Sequence, residues 1–250
     1  MFSKKSWFRK KCKLFLLKKY KKINRLDIMT KIPKQIIQTS LYKQPQYIID
    51  MLKTHAPDWK YKHFTDKEIV QYFINHPILE FPNIINRFWK IKRGEHKADL
   101  FRYYILYNEG GVYIDSDAML KKNLDDIAKE YAYFSVNSYL YESVFQGFLG
   151  AMPRNEIIYK ALKDVYEMNN DYLTEHYYVL TSNMYLFVHN NVYNFEYKLY
   201  NELKSDHEKA YTVNDENEII LVHYWKDKVI PNIFDTTPKE IRENSLSAHI

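Results

Sequence analysis

The stretch "KADLFRYYILYNEGGVYIDSDAML", residues 97–120, encodes a helix, a stop and a strand in direct succession. From Lys97 to Asn108 nearly every residue is apolar or aromatic, which predicts a helix buried on most sides. Asp99 and Arg102 break the pattern; spaced i and i+3, they project from one face and can pair. Gly110 and Gly111 supply the helix stop, because positive φ costs glycine little. "VYID" then reads as a strand with Asp115 at its carboxyl end, the side on which open α/β sheets bind ligands. Two residues apart on an extended chain, Asp115 and Asp117 face one side. The pair is either a metal site or a polar turn after a strand.

Upstream, "KIPKQIIQTS" reads as a short buried strand with Pro33 at its start, where a missing N–H does little harm. Pro45 to His55 carries Ile48, Ile49 and Leu52 at helical spacing and ends at Pro57. "WKYKHFT" is a second strand, and Thr65, Asp66 and Glu68 form the capped start of another helix through Phe73. Strand and helix alternate, which argues for an α/β fold with largely parallel strands. Downstream, "AYFSV", "FQGFLGAM" and "EIILVHYW" read as strands and Asn155 to Met168 as a helix. The aromatic-rich region from Tyr172 to Tyr200 gives no clear period. No internal repeat or linker divides residues 30–250, which read as one domain after a leader of residues 1–29.

Hydrophobic residues make up 46% of the 250 and aromatics 17%, so the chain is globular. Apolar runs reach only four or five residues, far short of the roughly 20 that a membrane-spanning helix needs. The net charge of +6 is unevenly placed: eleven of the 37 Lys and Arg lie in residues 1–26, where there is no Asp or Glu, leaving 26 against 31 acidic residues in the rest. A mildly acidic body argues against nucleic acid as a partner, which needs positive charge on the folded face. The basic leader, with Trp7, Phe8 and "LFLL", resembles an amphipathic anchor for an anionic membrane surface. A solvated basic tail explains it equally well. Its "LFLL" is too short for a secretory h-region. The single cysteine, Cys12, forms no internal disulfide and fits a reducing compartment. Together these features place the protein in the cytoplasm, peripheral on the inner membrane face.

A D-x-D alone is expected about once by chance in a chain of this length and needs context to count. Here all five glycines, Gly94, Gly110, Gly111, Gly147 and Gly150, fall near it. Mg²⁺ and Mn²⁺ prefer oxygen ligands, and Mg²⁺ often takes one or two protein carboxylates plus substrate phosphates and waters. The sequence has no Cys/His cluster at zinc spacing, no P-loop and no G-x-S-x-G elbow. Phosphate would therefore be held through the metal.

The run from Lys97 to Leu120 resembles the core motif of family 32 glycosyltransferases, related to yeast outer-chain mannosyltransferases, bacterial capsular sugar transferases and, more distantly, clostridial toxin glucosyltransferases. The resemblance is close over about 25 residues and looser over residues 31–230. It implies a GT-A type single Rossmann-like domain with a mixed, mostly parallel central sheet. It also implies a retaining, Mn²⁺- or Mg²⁺-dependent transfer of a hexose from a nucleoside diphosphate sugar to a glycan or glycolipid acceptor, as in cell-surface polysaccharide synthesis. Asp99 and Arg102 match the helix pair that contacts the donor sugar and diphosphate. Asp115 matches the residue that contacts the ribose or sugar and shares the metal, and Asp117 the principal metal ligand. Gln38 matches the first nucleotide-binding strand, although Ile37 and Ser40 stand where His and Trp are usual. Gln146 stands where Asn is common in the segment lining the donor sugar. His223 matches a third metal ligand, while Lys228 and Val229 replace the usual Ser-Trp. A divalent cation, Arg102 and Lys228 would stabilise the leaving diphosphate.

Plainer readings stand beside these. Asp99 and Arg102 also fit a purely structural ion pair, although such pairs often stabilise poorly, which favours the functional reading. His223 fits a hydrogen-bonded core histidine, and Trp225 fits packing. A catalytically inactive sugar-nucleotide-binding module at a membrane surface, or a metal-dependent phosphate ester hydrolase, is the alternative function.

Overall fold

The computed structural model describes residues 31–206 and 209–224. The leader, the tail from Trp225 onward and Lys228 therefore lie outside the described residues. Strand β1 (Gln35–Thr39), helix α1 (Gln46–His55), strand β2 (Lys60–Phe64) and helix α2 (Asp66–Asn75) follow the alternation expected from the sequence. The capping box at the start of α2 is formed: the Thr65 side chain accepts from the backbone at Glu68, and the Thr65 amide donates to the Glu68 carboxylate at 2.9 Å. Helix α3 (Ile84–Lys90) precedes α4 (Gly94–Glu109), in which Leu100 to Leu106 are all buried. Gly110 ends α4 at φ +71° and ψ −166°, a conformation open essentially to glycine alone.

Strand β3 (Gly111–Ile114) is separated from β4 (Ala118–Leu120) by three residues, Asp115, Ser116 and Asp117. Then come α5 (Leu124–Ala128), β5 (Tyr133–Asn137), β6 (Val144–Ala151) and α6 (Glu156–Glu167). The Asn155 side chain caps α6 by accepting from the amides of Ile157 and Ile158. The stretch from Tyr172 to Tyr200 resolves into the end of α7 (Asn170–Glu175), α8 (Val179–His189) and the start of β7 (Tyr197–Asp206). Strands β8 (Lys209–Val213) and β9 (Ile219–Tyr224) complete the described elements.

The strands form one sheet in the order β2-β1-β3-β6-β5-β7-β8-β9-β4. Period-2 alternation splits its side chains between two cores. Ile37, Tyr113 and Leu149 pack under α4, α6 and α8, while Ile36, Val112, Ile114 and Phe148 pack under α1 and α5. The α/β class with a mixed sheet is as expected, but the sheet is not mostly parallel. Among the described strands, β1 pairs parallel with β2 and β3, and β5 with β7; the other five pairings are antiparallel. Parallel neighbours need a long crossover, which helices supply between β1, β2 and β3. Later the chain turns back on itself at 138–143 and at 214–218, and such short returns make antiparallel pairs.

The sheet must also curl. β3 stands third in the order and β4 last, yet only three residues join them. The far end of this long ribbon therefore returns to β3 at Asp115–Asp117, where β4 brings its partner β9 into register, with Ala118 opposite His223.

Candidate active site

That closure assembles the site. The Asp115 amide donates to the Gly147 carbonyl at 2.7 Å, extending the β3–β6 ladder by one residue. The Asp115 carbonyl accepts from Gln38 Nε2 at 3.1 Å, and Gln38 Oε1 accepts from the Tyr61 hydroxyl at 2.9 Å. Gln38 is fully buried and both ends of its amide are engaged, so it fixes the main chain of Asp115. The carboxylate is held just as closely. Oδ1 lies 3.2 Å from Arg102 Nη2, while Oδ2 points towards His223 Nε2 at 3.9 Å. His223 Nε2 lies 3.1 Å from Asp117 Oδ1.

Behind this pair stands α4. Arg102 Nη1 reaches Asp99 Oδ1 at 3.2 Å across one turn, and its guanidinium carbon lies 4.1 Å from the centre of the Tyr113 ring. Both charged residues are buried. Burial pushes the Asp99 carboxyl up to about 6 despite the opposing pull of Arg102 and His96. Burial also raises Asp115, opposed by Arg102 and reinforced by the negative charge of Asp117. For His223 burial acts downward, but the hydrogen bond to Asp117 and the charges of Asp117, Asp115 and Glu202 outweigh it, so the net shift is upward.

Asp115, Asp117 and His223 each offer a ligand atom within 4.8 Å of the others. Two carboxylate oxygens and one imidazole nitrogen suit a divalent ion such as Mn²⁺ or Mg²⁺ better than a thiophilic one. The residues present thus fit a metal. Gly147 is what lets Asp115 settle there, because a Cβ at that position would overlap Asp115 Oδ2 and the Phe145 ring. Gly147→Ala is expected to displace the carboxylate and lower turnover about 100-fold, the usual effect of a misplacement near 1 Å. Comparing kcat of the variant and wild type at matched thermal midpoints checks this.

The remaining expected residues fall as follows. Gln146 is buried, and its Nε2 has no hydrogen-bond partner among the described residues; Arg102 Nε and the Tyr103 hydroxyl share that condition. Ile37 belongs to the core, and Ser40 Oγ bonds to His63 Nε2 at 2.7 Å beyond the carboxyl end of β1. Three residues escape the sequence reading: His63; Glu202, a buried β7 carboxylate whose charge His223 feels; and His96. Only His96 left a signal, since His96, Asp99 and Arg102 recur at i, i+3 and i+6.

Residues 43–134 match the family model described as a glycosyltransferase sugar-binding region containing a DXD motif. The match covers under half of the chain and supports an assignment to the DXD glycosyltransferases of the family 32 type. The chain is 36% identical over 109 residues to a mannosyl phosphorylinositol ceramide synthase of Saccharomyces cerevisiae, covering 44% of this chain and 27% of that one. It is 27% identical over 156 residues to inositol phosphoceramide mannosyltransferase 1 of Schizosaccharomyces pombe, covering 59% and 47%. The chain thus spans about a quarter to a half of the length of these relatives. Among solved structures, the PaToxG glycosyltransferase is similar over 62% of this chain and 68% of that one, with 16% identity and a TM-score of 0.47.

Proposed function

We propose that the protein moves a hexose, mannose in the first instance, from a nucleoside diphosphate sugar to a glycan or glycolipid hydroxyl, with a divalent ion at Asp115, Asp117 and His223. The observation that carries this reading is the convergence of those three side chains at the sheet closure, backed by the buried Asp99–Arg102 pair. Mannose is the choice because the matched relatives are named mannosyltransferases and mannosyl ceramide synthases.

Bound at this triad, a divalent ion supplies Lewis-acid stabilisation to the diphosphate that departs. Within the chain, Arg102 holds Asp115 Oδ1 and leaves Oδ2 for the ion, and Asp99 holds Arg102. Gln38 fixes the same residue by its backbone. Gln146 Nε2, buried without a hydrogen-bond partner among the described residues, suits a donor hydroxyl. No side chain is assigned as a covalent nucleophile, and retention of configuration follows from the family resemblance. The ceramide acceptors named for the relatives fit a lipid-borne acceptor, and the basic leader fits a place at the membrane face.

The experiment is hydrolysis of nucleoside diphosphate hexoses by the full chain. Turnover that needs Mn²⁺ or Mg²⁺ and stops with chelator supports the proposal. Donor binding without turnover across the whole panel would replace it with an inactive binding module.

A further inference from the structure

Positive charge is outnumbered on the body of the chain, yet it gathers where α3 hands over to α4. Residues 84–97 hold five Lys or Arg against one acid, Glu95, while the chain after residue 26 has 26 basic against 31 acidic residues. Arg87 is spent inside, donating from Nε and Nη2 to the Val165 carbonyl at 2.9 and 2.6 Å. The other four, Lys90, Lys92, Arg93 and Lys97, share the joint with Trp89. Phe88 and Ile91 near it are buried, but Trp89 itself is 55% exposed.

Measured contacts carry this surface on to the loop after α7. Lys97 Nζ lies 5.0 Å from the centre of the Trp89 ring, which ties the first turn of α4 to the end of α3. Arg93 Nε donates to the Thr174 carbonyl at 2.9 Å, and its guanidinium carbon lies 5.2 Å from the centre of the Tyr177 ring. His96 Nε2 donates to the Tyr177 carbonyl at 3.1 Å. Tyr178, next in the chain, is 56% exposed. Lys92 Nζ lies 3.1 Å from Asp171 Oδ1, but both side chains are well exposed, so the pair holds the lysine weakly. Asp99 stands five residues into α4, about 7.5 Å along the axis from Gly94, so this surface adjoins the site.

Tryptophan and tyrosine have an apolar body and a polar tip, and they concentrate where hydrocarbon meets lipid head groups. Lysine and arginine beside them meet the negative charge of an anionic leaflet. A nucleic acid needs a longer basic track, which four cations on an acidic body do not give. We propose that this surface, led by Trp89, Tyr178, Lys90 and Lys92, docks on an anionic lipid bilayer. Docking there holds the Asp115–Asp117–His223 triad near lipid-borne head groups; that consequence rests on the transferase reading, whereas the docking does not.

The test is co-sedimentation of the full chain with vesicles of phosphatidylcholine alone and of phosphatidylcholine and phosphatidylserine in equal amounts. Wild type should bind the mixed vesicles and not the neutral ones. Lys90→Ala/Lys92→Ala should weaken that binding about 30-fold, the effect of two cations at an anionic surface. Trp89→Ala, which leaves the charge alone, should weaken it about 10-fold, the scale of burying half of an aromatic side chain. Lys53→Ala/Lys60→Ala removes the same charge from exposed positions at the end of α1 and the start of β2, and should bind as wild type does. The leader is intact in every variant, so wild-type binding by Lys90→Ala/Lys92→Ala would assign the attachment elsewhere and overturn the proposal. Equal loss in Lys53→Ala/Lys60→Ala, or no preference of wild type for the mixed vesicles, would overturn it too. Hydrolysis of a soluble donor should stay at the wild-type rate in all three variants. If no donor is hydrolysed while the vesicle results hold, the docking surface stands and the transferase reading falls.

Discussion

Asp117→Asn is expected to lower metal-dependent donor hydrolysis about 10³-fold, because a Lewis-acid contribution of several kcal/mol converts to that factor at 1.36 kcal/mol per decade. The substitution keeps the side-chain shape and removes its charge. Asp117 Oδ1 has His223 Nε2 at 3.1 Å, and the side chain is 22% exposed, so the fold draws little from it. The loss should therefore appear in the Mn²⁺ concentration needed for half-maximal rate as well as in kcat, with the thermal midpoint near that of wild type. Asp115→Asn should fall at least as far and also lose stability, since Asp115 Oδ1 is an anchor for the buried Arg102. Wild-type turnover and metal response in Asp117→Asn would remove the triad from the chemistry.

Local order was legible from the sequence, while closure was not. The passage from α4 through Gly110 and Gly111 to β3 is written in consecutive residues: burial on all sides, a glycine stop, then an extended run. The pairing of Asp99 with Arg102 needed only the i, i+3 rule, and the structure shows it at 3.2 Å. The approach of His223 to Asp117 depends instead on the register of β9 against β4, set by residues more than a hundred positions apart. No periodicity reports such a register, and only resemblance suggested His223. The same limit applies to strand direction. The early helices announced parallel strands, but the antiparallel returns after β3 depend on turns at 138–143 and 214–218 that carry no glycine. Glu202 was equally hidden, one carboxylate in a strand whose inward face becomes apparent only once β5 and β7 pair. Gln38 was singled out through the resemblance as nucleotide-binding, and the structure places it against the Asp115 backbone. Its orientation, with one end on the Asp115 backbone and the other on Tyr61, was a tertiary fact.

Arg102→Met should destabilise the protein by about 3–5 kcal/mol at pH 8, since removing one partner of a buried pair leaves its carboxylates uncompensated. At roughly 2–4 °C per kcal/mol for a chain of this size, the thermal midpoint should drop about 10 °C or more. Asp99 then decides the pH dependence. Its folded value of about 6 lies above the ordinary 3.8, so the stability linked to its proton is fully present below 3.8 and lost as pH rises through 6. The full loss is about 3 kcal/mol at 1.36 kcal/mol per unit. Asp99→Asn, which mimics the neutral carboxyl, should therefore gain stability relative to wild type as pH climbs from 4 to 7. Combined with Arg102→Met, it should restore part of the lost midpoint at pH 8 and little at pH 4. Wild-type stability of Arg102→Met at pH 8 would show that the buried charges are compensated elsewhere. Turnover separates structure from function in the same variants. If Asp99 served the fold alone, Asp99→Asn would be a more stable enzyme with unchanged kcat; if Asp99 holds Arg102, and through it Asp115 Oδ1, the gain in stability above pH 6 comes with a fall in kcat.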